Sequence, residues 1–193
     1  MASSFGVRKV VVTGALSAVA IALSLTQLGY IPWISGASLS VLQVPAVVGA
    51  VLEGPVVGVL VGAVFGATSL VQAAINPAKG PIDVFFVNPL ISILPRLFIG
   101  LVAWAIYRLF RGKLAPAAAA AAGVAGSLTN SILVLGALVI AGAIPPAIAG
   151  TVFVANGLVE AVVCAVLTAG IVAAWKGVEG RAGKARLADE EGK

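Results

Sequence analysis

Histidine is absent from this chain of 193 residues, and the one cysteine, Cys164, lies inside an apolar run. The first absence removes the commonest general base and metal ligand; the second excludes a disulfide within the chain and a cysteine metal cluster. Charge is scarce as well, with 10% of residues Asp, Glu, Lys or Arg. No GxxxxGK[ST] loop, HExxH pair or G-x-S-x-G elbow is present. The chain therefore offers neither a P-loop for nucleotide hydrolysis nor the signatures of a zinc peptidase or serine hydrolase.

What the chain has instead is apolar bulk: 61% of residues are hydrophobic and the mean hydropathy is +1.14. Too little polar surface exists to coat a soluble globule of this size, so the sequence describes an integral membrane protein. Apolar runs at 10–28, 39–52, 56–74, 90–106, 117–140 and 147–174 predict an all-α bundle of six transmembrane helices. The first run has a cleaved signal peptide as its rival reading, with Arg8 and Lys9 as the basic region, but it is long for an h-region and lacks a small-residue exit site. The second run is short for a span and carries Gln43 and Pro45 near its outer end, which suggests tilt or an extension into the flanking loop.

Basic residues orient the bundle. Ten of the twelve Lys and Arg (Arg8, Lys9, Arg108, Arg111, Lys113, Lys176, Arg181, Lys184, Arg186, Lys193) fall on the side of the termini, which predicts that both ends are cytoplasmic. The net charge of +5 is thereby explained by topology, with no need of nucleic acid. Residues 1–176 read as one membrane domain and 177–193 as a charged, disordered tail.

Two stripes of small residues recur every fourth position: Gly14, Ala18 and Ala22 in the first helix, and Gly54, Gly58, Gly62 and Gly66 in the third. Either stripe lets another helix approach closely. The glycine ridge reads as internal packing; the first stripe reads as internal packing or as a docking face for another subunit.

A few polar groups fall within the predicted spans. Arg96 lies roughly 12 Å from the outer surface, Asn156 roughly 15 Å, and Asn130 and Glu160 roughly 20 Å, at about 1.5 Å per residue. Asn156 and Glu160 are four apart and share a helix face. Such groups either pair with one another, as in an Arg96–Glu160 ion pair, or line a ligand path. Gln43, Gln72 and Asn88 could complete a polar cavity open to the outside. Trp33, beside Tyr30 in the first loop, is an interfacial anchor or a stacking surface for a ligand. Asn76-Pro77-Ala78 spells the aquaporin signature, but twelve residues to Asn88-Pro89-Leu90 cannot separate two half-helices entering from opposite faces.

The series VPAVVGAVLEGPVVGVLVGAVFG (44–66), NPLISILPRLFIGLVAWAIYRLFR (88–111), GSLTNSILVLG (126–136) and NGLVEAVVCAVLTAGIV (156–172) resembles the substrate-binding S components of energy-coupling-factor (ECF) vitamin transporters. That resemblance implies a six-helix subunit of a prokaryotic cell membrane that captures a vitamin from outside, the vitamin being cargo rather than cofactor. It implies partnership with a membrane scaffold subunit and two cytoplasmic ATP-binding cassette ATPases, which would hydrolyse the ATP. The family's scaffold-facing A-x-x-x-A motif maps onto Ala18 and Ala22, extended by Gly14. Its pocket, built by the fourth to sixth helices and the first loop, maps onto Asn88, Arg96, Asn130, Asn156 and Glu160. The blocks are closest to pantothenate-type S components; riboflavin and cobalamin carriers share the frame. An autonomous transporter in which Glu160 exchanges a proton is the alternative in another class.

Overall fold

A computed structural model describes residues 6–26, 28–32, 38–75, 83–111 and 115–191. Helix α1 (Val7–Leu25) is followed by a two-stranded antiparallel hairpin, β1 (Tyr30–Pro32) and β2 (Ser38–Ser40), with Ile31 opposite Leu39. Then come α2 (Val44–Glu53) and α3 (Pro55–Ile75). A 3-10 turn (Asp83–Val87) leads into α4 (Pro89–Ser92) and α5 (Leu94–Phe110). Helix α6 (Ala115–Ile140) precedes α7 (Pro146–Val152), a π-helical turn (Phe153–Gly157) and α8 (Leu158–Glu191). Five stretches are long and apolar enough to cross a membrane, and α2 is a shorter apolar helix. The chain is thus an all-α membrane bundle with a small hairpin at one end.

Proline placement explains the breaks. Pro45 stands in the first turn of α2, Pro89 of α4, Pro95 of α5 and Pro146 of α7. The ring presets φ for a first turn, where the missing N–H has no helical partner to lose. The run expected as a helix from residue 39 therefore starts only at Val44, and Leu39 and Ser40 pair in β2 instead. At ten residues, α2 is about 15 Å long and reaches only part way across a bilayer. It is the core of the bundle: every residue from Val44 to Val51 is buried. Against it pack Val57, Val61 and Phe65 of α3, Ile99 and Ala103 of α5, Ala118, Ala119 and Ala122 of α6, and Cys164 of α8.

The glycine ridge is internal, as expected. A Cβ on Gly58 would come within 2.9 Å of the Gly100 Cα, one on Gly66 within 2.7 Å of the Ser92 carbonyl oxygen, and one on Gly62 would collide with the Arg96 carbonyl oxygen. Helix α3 therefore lies backbone against backbone on α4 and α5. Gly54 is different, since it ends α2 at φ +104 with open space around it. Toward the C-terminus, where the sequence suggested a disordered tail from Gly177, the backbone of α8 continues as helix through Glu191.

Candidate binding site

Four of the polar residues singled out above are buried: Gln43 is 0% exposed, Arg96 6%, Asn156 6% and Asn130 8%. They do not form one cluster around an Arg96–Glu160 ion pair. Among the described residues the ion pair is Arg8–Glu53, at 2.6 Å, and Glu160 has other partners.

Arg96 sits in the first turn of α5, directly after Pro95. A residue with an N–H at position 95 would donate to the Ile91 carbonyl and continue α4 into α5; proline cannot. The Arg96 guanidinium takes that acceptor instead, donating Nη1 to the Ile91 carbonyl oxygen at 2.6 Å. Its carbon lies 5.3 Å from the ring centroids of both Phe65 and Phe86. The Ser92 hydroxyl donates to the Phe86 carbonyl, which ties the 3-10 turn to α4 and holds that ring in place. Two aromatic faces and a carbonyl thus stabilise a charge that the helix N-terminus itself disfavours, each desolvated cation–π contact contributing about 2 kcal/mol.

Glu160 lies on α8, at the hairpin end of the bundle's polar layer. Its carboxylate accepts a hydrogen bond from the Ser40 backbone N–H of β2 at 2.7 Å and another from the Ser131 side chain of α6. Gln43, at the start of α2, donates Nε2 to Ser127 Oγ at 3.2 Å. Gln43 Oε1 and Asn130 Oδ1 are buried without a donor. A bare acceptor costs about 1–3 kcal/mol in such a setting, so the polar layer carries an unfilled demand for donors. Asn156 is buried in the π-helical turn, where one extra residue per turn redirects side chains and where functional sites recur. Next to it, a Cβ on Gly157 would stand 3.4 Å from Ser131 Oγ, so glycine there lets α8 close onto α6.

The remaining candidates separate. Gln72 donates Nε2 to Ser24 Oγ at 2.9 Å, joining α3 to α1, and so belongs to helix packing. Asn88 is exposed and caps α4, its Oδ1 accepting from the Leu90 N–H at 3.0 Å. Trp33 lies outside the described residues. Ser40, Ser127 and Ser131 were missed in the sequence, since serine is tolerated in apolar helices everywhere and nothing local marks these three. Gly14, Ala18 and Ala22 are all exposed on α1, and Gly14 has nothing within 4 Å of a would-be Cβ. The stripe does not pack inside this protein.

The multi-pass helical bundle thus holds buried, partly unsatisfied polar groups, the kind of lining that a small-molecule site uses. Residues 8–172 match the family model for the substrate-specific component of ECF transporters, and the chain belongs to that family. Members of this family are substrate-binding transporter subunits that associate with an energising module of scaffold and ATPase subunits. No curated protein matches the chain.

Proposed function

We propose that this protein captures a B vitamin, pantothenate being the first candidate, from outside a prokaryotic cell and delivers it through a complex with a membrane scaffold and two cytoplasmic ATPases. It has no catalytic activity of its own in this reading, and both termini face the cytoplasm. Family membership carries the proposal. Three buried polar residues on α2, α6 and the π-helical turn, Gln43, Asn130 and Asn156, with Glu160 beside them, supply the pocket. The exposed Gly14-Ala18-Ala22 face of α1 supplies the scaffold contact, because small side chains let a partner helix come close. Arg96, whose guanidinium meets Ile91, Phe65 and Phe86, is the cation that takes a cargo carboxylate in this reading.

The test is a thermal-shift screen of the purified protein against pantothenate, riboflavin, thiamine, biotin, pyridoxine and cobalamin. A cognate vitamin at one hundred times its dissociation constant stabilises by about 2.7 kcal/mol. A flat response to all six would overturn vitamin capture. Uptake into vesicles driven by a proton gradient, with no ATPase present, would establish the autonomous transporter that uses Glu160.

A further inference from the structure

The hydrogen bonds at the hairpin end of the bundle close into a ring. Gln43 Nε2 donates to Ser127 Oγ at 3.2 Å. One turn along α6, Ser131 bonds the Glu160 carboxylate. That carboxylate accepts from the Ser40 N–H at 2.7 Å, and Ser40 Oγ accepts from the Leu42 N–H at 3.4 Å, immediately before Gln43. Asn130 shares the ring's face of α6, three residues beyond Ser127.

The ring is unbalanced in one direction. Its fully buried open positions are acceptors, Gln43 Oε1 and Asn130 Oδ1, both without a donor. Donation from Nε2 to Ser127 directs the other end of the Gln43 amide away from that serine, so its oxygen has nothing to meet. Glu160 adds a carboxylate bonded by Ser40 and Ser131, with no lysine or arginine paired to it among the described residues. Within a membrane, where water does not make up the deficit, two bare carbonyls beside a carboxylate are matched by hydrogen-bond donors.

We propose that this ring is the subsite for a cargo group carrying at least two O–H or N–H donors and no negative charge, with Gln43 and Asn130 as the residues that read them. The assignment rests on the reading of the chain as a vitamin-capturing subunit and adds a polarity to it. A carboxylate placed here would meet two carbonyl oxygens beside the Glu160 side chain, so an acidic end of the cargo lies outside the ring. Gln43 is the N-cap of the short buried helix α2 and is itself fully buried.

The experiment uses Asn130→Leu and Gln43→Leu in the full chain, with the vitamin that the six-member screen returns. Asn130→Leu removes a bare acceptor, so its melting temperature without vitamin is expected to hold or rise while affinity in calorimetric titration falls at least tenfold. An analogue of the same vitamin with one hydroxyl or amide N–H replaced by methyl is expected to bind wild type at least tenfold more weakly, and to lose no further factor in the variant that removes its acceptor. Wild-type affinity in both variants, with a vitamin bound, overturns this assignment and leaves vitamin capture standing. A variant that melts early yet binds normally once folded also overturns it, since that is what a structural amide does. A screen with no binder removes capture and this subsite together.

Discussion

Helices α1 and α3 carry the same sequence signature, small residues every fourth position, and the fold uses them in opposite ways. On α3 the ridge of Gly58, Gly62 and Gly66 is pressed onto the backbone of Gly100, Arg96 and Ser92. On α1 the stripe of Gly14, Ala18 and Ala22 is exposed. The inner face of α1 is the other row, Val12, Ala20 and Ser24, with partly buried Leu16 between. The two rows are offset by two residues, about 200° around the axis, so burying one turns the other outward. A small-residue stripe therefore reports close approach of something, and only the surrounding helices say whether that partner is inside the chain.

The largest effect is expected from Gly62→Val. Its side chain would displace the Arg96 carbonyl and push α3 off α5, at a cost of about 3 kcal/mol or more, read by thermal denaturation in detergent. A change under about 0.5 kcal/mol would show that the ridge is not tightly packed. The matching change on α1, Ala18→Trp, is expected to leave melting temperature and vitamin affinity at wild-type values and to abolish co-purification with the scaffold and ATPases. Intact assembly with a collapsed fold would reverse the comparison.

Because the ridge seats the Arg96 backbone, the contrast extends to the charges. Arg96→Ala and Glu160→Gln touch separate contacts, so their destabilisations are expected to add within about 0.5 kcal/mol in the double variant. Recovery of stability in the double variant would establish the ion pair that the structure lacks. Arg96→Ala is expected to weaken vitamin binding by roughly a hundredfold if the guanidinium takes a cargo carboxylate. Wild-type affinity would remove Arg96 from the pocket. The smallest effect is expected at the seam between the two helices: a double-mutant cycle on Gln72→Leu and Ser24→Ala should give a coupling of about 0.6 kcal/mol, with vitamin affinity unchanged. A loss of affinity in Gln72→Leu would return that residue to the site.

Much of the fold was legible residue by residue. Runs of apolar residues marked the helices; Gly54, read with the ridge of the third helix, instead ends α2 at φ +104. The hairpin was not legible, because Tyr30–Pro32 and Ser38–Ser40 are only three residues each and gain their order by pairing. At the site, Gln43, Arg96, Asn130, Asn156 and Glu160 stood out as polar groups in apolar runs, and the first four are buried. Their grouping was not legible. Depth along each helix placed Arg96 and Glu160 near one another, whereas Pro95 turns the Arg96 side chain back toward Ile91. Asn88 and Gln72 were drawn into the site for the same reason: depth is a local quantity, and direction is not.

Sequence alone determined the membrane class, the positions of the main apolar runs and the family, because hydropathy and blocks of residues are properties of contiguous chain. Tertiary structure decided which small-residue stripe is core, that Arg96 meets two aromatic rings and a carbonyl rather than Glu160, and that serines on β2 and α6 close a ring with Gln43 and Glu160. Each of those depends on the rotation of one helix against its neighbours. That rotation is set by the packing of all the helices at once, and no window along the chain contains it.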